Sequence, residues 1–396
     1  LDLNILNVID VSLGPSITVS GNPFGSTWYI PKEWTNSSNP DGTGGILICY
    51  LAGSMIRTPN GDVAVEDLRV GDAVLAYGRG EAEPRQIVWA GHAQATVNPT
   101  LADDEAGYPV RIVQDAIADG VPYKDMLVTP EHCLYFDGRF VPVRMLVNGS
   151  SIFYDRTFTS YTYYHIETPE HAVIMADGVL SESYLDTGNR TSFRSSGIVL
   201  ASIGSKPRNW SVDAAAPLCT QKEFVQPLFE KIANRDSALG HAPAQPAPRE
   251  LLTDPDICLQ TNTGKRIRAI KVQDGYYTFM LPENVQSVQI VSRASRPCDV
   301  EGPFVDDRRK LGVAIGQVTL CDTQNMQEIS THLQNEDIPG WYVLEHDGAA
   351  RWTNGNAMLD LESQSTSGLR MLSMQVLAAG PYLASDTPAH RLAKTA

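Results

Sequence analysis

From Ile46 onward the chain alternates short apolar runs with polar turns, at intervals of about eight to twelve residues. The runs are Val63–Val65, Ala73–Ala76, Gln86–Trp89, Val110–Val113, Asp125–Val128, Cys133–Phe136 and Tyr161–Ile166. Runs this short read as strands, and Asn60-Gly61, Asp137-Gly138, Asn148-Gly149 and Asp177-Gly178 supply residues that tolerate positive φ in hairpins. The pattern predicts an all-β domain that stops near Asn189-Arg190. Ahead of it, residues 1–45 are rich in Asn, Ser, Gly and Pro, and read as one or two short strands and an exposed loop.

Past Arg190 the period changes. Phe224, Val225, Leu228, Phe229, Ile232 and Ala233 share one helical face, and Thr220 with Glu223 resembles a capping box. Pro227 predicts a kink there, or a helix that starts at Pro227. Gly240–Arg249, with Pro243, Pro246 and Pro248 among alanines, has the composition of a semi-extended linker. Strand runs then return at Ile267–Val272, Tyr276–Met280, Gln286–Ser292 and Gly312–Leu320. The expected organisation is an N-terminal β/loop segment (1–45), a β domain (46–190), a helical segment and Pro/Ala-rich linker (191–250) and a second, sandwich-like β domain (251–396).

Composition narrows the function classes. A chain of 396 residues with 42% hydrophobic and 19% charged residues can bury two or three cores. Its net charge of −15 argues against a nucleic-acid partner, because phosphate binding needs a concentrated Lys/Arg surface. No apolar run approaches the roughly 20 residues of a transmembrane helix. The start at Leu1, without a positive n-region or apolar core, is expected of a processed protein or a piece of a longer one. Cys49, Cys133, Cys219, Cys258, Cys298 and Cys321 form no CxxC pair, so neither a structural zinc site nor a cofactor motif is expected.

One tetrapeptide recurs. Thr129-Pro130-Glu131-His132 precedes Asp137-Gly138, and Thr168-Pro169-Glu170-His171 precedes Asp177-Gly178. Apolar residues follow each histidine, so the echo predicts two similar hairpin units.

Ordered motifs now add chemistry. Cys49-Tyr50-Leu51-Ala52-Gly53 runs on to Thr58-Pro59-Asn60-Gly61 and Val65-Glu66-Asp67-Leu68-Arg69-Val70-Gly71-Asp72. Next comes Met126-Leu127-Val128 with Thr129 and His132, then Tyr164-His165-Ile166-Glu167, His171 and Gly178, and finally Glu182-Ser183-Tyr184-Leu185-Asp186. Together these blocks resemble the Hedgehog/intein (Hint) module, in a form similar to a bacterial subgroup, over roughly 140 residues. The resemblance implies a horseshoe-like all-β fold. It also implies self-processing in which the Cys49 thiol attacks the Ile48 carbonyl and turns the amide into a thioester. An amide nitrogen leaves poorly unless protonated, and the resemblance gives the general-acid role to His132. Thr129 would hydrogen-bond and distort the scissile peptide. His171 would assist proton transfer or orient the C-terminal strand.

Departures matter as well. Splicing inteins end in His-Asn followed by Cys, Ser or Thr, whereas this region reads Gly188-Asn189-Arg190. N-terminal cleavage or acyl transfer without splicing is therefore expected, with the chain's own N-terminal segment as substrate. No sterol-recognition segment follows Asn189. Outside the motif context, Cys49 would be a buried small hydrophobe, and Thr129 with His132 a turn closure. His165, Cys133, Asp137 and Asp177 read as structural, with Cys133 on the face opposite His132.

The expected setting is extracellular or cell-surface. Alternatives are a surface or filament-forming protein that self-associates around an uncleaved Hint scaffold, and a polysaccharide binder that uses Trp341, Tyr342 and Trp352 as a stacking platform.

Overall fold

The computed structural model describes residues 16–18, 27–29, 48–78, 81–188, 190, 193–195, 207–238, 250–322, 325–335, 337–345, 348–361 and 368–386. Two compact units divide the chain, Leu1–Gln245 and Pro246–Ala396. The expected linker Gly240–Arg249 and Asn189 lie outside the described residues. The fold is mainly β: antiparallel sheets, a short helical stretch, then further β structure. Among the described residues no helix is long and apolar enough to cross a membrane.

In the first unit, Ser16–Thr18 pairs with Thr27–Tyr29. A seven-stranded sheet places Tyr50–Leu51 between Met126–Val128 and Ser160–Glu167, with Trp89–Thr96 beyond. A second sheet runs Arg139–Pro142, Cys133–Phe136, Val179–Glu182, Val173–Ala176, Met55–Thr58, Gly61–Ala64. The two tetrapeptides open two hairpins of this sheet. Each hairpin turns on an Asp-Gly pair with both residues at positive φ, Asp137-Gly138 (45°, 84°) and Asp177-Gly178 (50°, 87°). They lie side by side, with Leu134 opposite Ser181.

Two apolar runs read as single strands are each broken. Gln86–Trp89 spans the end of Glu83–Gln86 and the start of Trp89–Thr96, which belong to different sheets. Ile87 and Trp89 are apolar because the crossing itself is buried, with the Val88 amide donating to the Glu167 carbonyl. Ile267–Val272 splits in the same way into Arg266–Arg268 and Lys271–Gln273 on two sheets. Along Trp89–Thr96 the strand needs Gly91, since a Cβ there would sit 2.2 Å from the Trp89 ring.

The helix Lys222–Ala238 begins two residues past Thr220 and carries Pro227 within it. So Pro227 neither starts the helix nor does Thr220 stand directly before it. Its buried face uses Val225 and Ile232.

The second unit is a sandwich. A four-stranded sheet (Arg266–Arg268, Cys258–Thr261, Ser287–Val291, Asn356–Asp360) faces a seven-stranded one that includes Tyr276–Leu281, Arg370–Ala379 and Val313–Cys321. Leu259, Ile290 and Leu359 from one sheet pack with Phe279, Ile315 and Leu372 from the other. Trp341 belongs to this core, with its indole N–H on the Met358 carbonyl, so it offers no face to a sugar.

Candidate active site around Cys49

Pairing of two strands builds the centre. Val128 lies opposite Tyr50 in an antiparallel ladder, which sets Thr129 against Cys49 just beyond the strand ends. The Cys49 amide, the leaving nitrogen of the Ile48–Cys49 bond, donates to Thr129 Oγ1 at 2.8 Å. The Thr129 amide returns a bond to the Cys49 carbonyl at 2.9 Å, and the Thr129 hydroxyl reaches that carbonyl at 3.4 Å. Thr129 is fully buried, so water does not compete for these bonds.

Alternation along the strand sends neighbouring side chains to different surroundings. Cys49 and Leu51 pack with Ala95, Val97, Tyr161 and Tyr163. Tyr50 meets the histidines: its ring lies 4.3 Å from His132 and 5.5 Å from His165. The Tyr50 hydroxyl bonds with Ser181 Oγ at 2.5 Å and donates to the Glu182 carbonyl at 2.9 Å.

His132 is wholly buried, and neither ring nitrogen has a hydrogen-bond partner among the described residues. Its amide donates to the Thr129 carbonyl at 3.0 Å, so a tight turn couples the two residues. His165 accepts the Ile166 amide on Nδ1 at 3.0 Å.

His171 stands apart from Cys49, in the cluster around Phe140 and Trp210, with ring centroids at 5.2 and 5.3 Å. Its Nδ1 accepts the Ala215 amide at 3.1 Å, which leaves the proton on Nε2, 3.6 Å from Glu182 Oε2. Cys133 packs in that same cluster.

Sequence reasoning passed over Glu182, which ties the two histidine regions together. Fully buried, it takes the Cys133 amide on Oε1 at 2.6 Å, faces His171 with Oε2, and accepts Tyr50 with its backbone carbonyl. The available signal was a carboxylate closing the short strand Val179–Glu182, right after the apolar pair Val179-Leu180 and Ser181. Asp177 is likewise more than a turn residue: it is buried, holds the Met55 amide at 3.1 Å and pairs with Lys124 at 3.0 Å.

The ionisable groups lean toward their neutral forms. Burial, reinforced by the Glu182 charge, pushes the Cys49 thiol well up, while a backbone hydrogen bond at Ile48 partly opposes this. Burial alone drops His132 to about 3, and burial with the neighbouring histidines holds His165 well below the usual range. Burial raises the Glu182 carboxyl against the pull of His171 and the Cys133 amide. At neutral pH the centre thus holds a thiol and a neutral imidazole. Among the described residues no group of His, Cys, Asp or Glu is arranged to hold a metal ion.

Residues 48–188 match the family model of the Hint domain, so the chain contains a Hint domain over that span. Among solved structures, a bacterial intein-like domain from Clostridium thermocellum is 16% identical, with 35% of this chain and 100% of that chain covered and a TM-score of 0.27. For the MchDnaB-1 intein the values are 15%, 34%, 99% and 0.23. No curated protein matches the chain.

Proposed function

We propose that the module breaks the Ile48–Cys49 bond by an N-to-S acyl shift, giving N-terminal cleavage or acyl transfer without splicing, in a secreted or cell-surface protein. The Cys49 Sγ–C bond to the Ile48 carbonyl carbon forms as the C–N bond breaks. The thiol proton ends on the released Cys49 amine, and water or an external thiol then takes the acyl group from the thioester. The observation that carries this reading is the Thr129 hydroxyl seated on the scissile amide at 2.8 Å. It fixes the amide against a rigid strand end, beside the turn that bears His132. With its resting value near 3, His132 delivers a proton only after collecting one during the reaction. His171 acts at a distance, by orienting Glu182 and the strand that holds Tyr50 in place.

A second reading, an uncleaved Hint scaffold in a structural surface protein, is favoured by the complete burial of the Cys49 thiol. Intact mass separates the two. Freshly purified protein is incubated with dithiothreitol or hydroxylamine, both of which intercept thioesters. A fragment that begins at Cys49, and is absent from Cys49→Ala, is the expected product. Equal fragment in Cys49→Ala, or none under either nucleophile, sinks the acyl-shift reading.

A further inference from the structure

The outer face of the seven-stranded sheet in the second unit carries a row of sulfur side chains. Met280 lies opposite Met371, Met371 opposite Cys321, and Cys321 opposite Met326, so the row crosses four adjacent strands. Directly opposed residues stand on the same face with Cβ atoms about 4.5–5.5 Å apart. Their sequence neighbours Phe279, Leu372 and Leu320 point inward to the core, which leaves the sulfur row on the outside. Met326 is 76% exposed and Met371 38%, with Cys321 and Met280 half-buried. Cys321 is a free thiol.

Hydrophobic packing does not account for this row. On the same face, two residues along each strand, the next row is Thr278, Ser373, Thr319 and Glu328. This polar row bounds the sulfurs on one side. On the other, the strands Tyr276–Leu281 and Arg370–Ala379 end within one residue, with the exposed Leu369 just beyond. The sulfurs therefore form a local cluster at the sheet end. Cys321 sits one strand spacing from both Met326 and Met371, and methionine's rotatable bonds let both thioethers bend toward the thiol. Thiolate and thioether ligands select soft ions, Cu(I) above all, over Mg²⁺ or Ca²⁺.

We propose that Cys321, Met326 and Met371, with Met280 one strand further, form a binding site for Cu(I). The Cys321 thiol gives its proton to solvent as the Cu–S bond forms, and copper remains Cu(I) throughout, so no oxidant or reductant takes part. The proposal is independent of the chemistry at Cys49.

The test is an anaerobic competition in which full-length protein withdraws Cu(I) from its coloured bicinchoninate complex. Wild-type protein should withdraw one equivalent. The double variant Met326→Leu with Met371→Leu keeps apolar area and volume, so the fold and any purely adhesive role survive. It should lose that equivalent, as should Cys321→Ser, whereas Cys298→Ser should keep it. Far-UV circular dichroism confirms that each variant is folded. Two results overturn the proposal: no copper withdrawn by wild type, or equal withdrawal by the double-leucine variant, which would make the row an apolar contact surface.

Discussion

Burial of His132 has a cost that appears in the pH dependence of stability. Unfolded, the imidazole titrates near 6.5; folded, it is held at about 3 because burial disfavours the cation. As pH falls below 6.5 the unfolded chain takes up a proton that the folded chain refuses. Stability from this residue is therefore complete above pH 6.5 and is lost progressively down to about pH 3. At about 1.36 kcal/mol per unit, the full span of about 3.5 units amounts to roughly 5 kcal/mol, and the fall to pH 5 alone to about 2 kcal/mol. The measurement is native-state hydrogen exchange of the strand Met126–Val128 at pH 7 and pH 5, in a Cys49→Ala background that cannot cleave. His132→Phe keeps a ring against Tyr50 and cannot titrate, so its opening free energy should fall less over this interval, by about 2 kcal/mol. Glu182 is present in both proteins, and His165 is held low chiefly by burial, with His132 a smaller cause, so most of their contribution cancels in the comparison. Parallel losses in the two proteins would falsify the buried, neutral imidazole.

Other outcomes follow from the same geometry. Thr129→Val removes the acceptor from the buried Cys49 amide, a loss of about 1–3 kcal/mol; fragment release followed by mass should slow by roughly ten- to a hundred-fold, and an unchanged rate would discount Thr129. Glu182→Ala strands the Cys133 amide and should lower thermal stability by about 1–3 kcal/mol, whereas Glu182→Gln keeps an acceptor and should lie nearer wild type. Gly91→Ala drives a Cβ into the Trp89 ring and should cost about 1–3 kcal/mol in chemical denaturation; a neutral substitution would contradict the packing. Mass analysis of incubated protein should give at most two fragments, divided at Cys49, because Asn189 is followed by Arg190; a peptide bond from Ile48 to any residue beyond Asn189 would refute the non-splicing reading.

Strands were legible where the chain stays within one sheet. Cys133–Phe136 coincides with its run, and Tyr276–Leu281 exceeds its run by one residue, because turn residues mark both ends. Ile87–Val88 escaped because a crossing anchored by the buried Ile87 looks as apolar as a strand. Ala269–Ile270 escaped because two apolar residues continue the run, although Ile270 is exposed. Thr129 was legible beside Cys49 only through the order of motifs, since 80 positions separate the two. Glu182 was not, because its importance arises from three contacts drawn from distant segments: Tyr50, Cys133 and His171. A lone carboxylate in sequence gives no sign of such convergence.

The resting centre also bears on when chemistry can occur. A thiol pushed up, an imidazole pushed down and a carboxyl pushed up all have one cause, exclusion of water. Such a centre avoids burying a thiolate or an imidazolium. The same property makes it slow, since a thiolate must form where Glu182 already disfavours negative charge. Admission of water around Cys49 would lower the thiol toward its ordinary range and raise His132 toward its own, and so move nucleophile and acid toward working values together. Separate tuning of the two residues is therefore unnecessary. Loosening the apolar wall of Tyr161 and Tyr163 against Cys49 should be enough to accelerate release of the N-terminal segment. Tyr161→Ala should cleave faster than wild type at pH 7 even though it is less stable, and a slower reaction in that variant would show that packing drives the scissile peptide instead of restraining it.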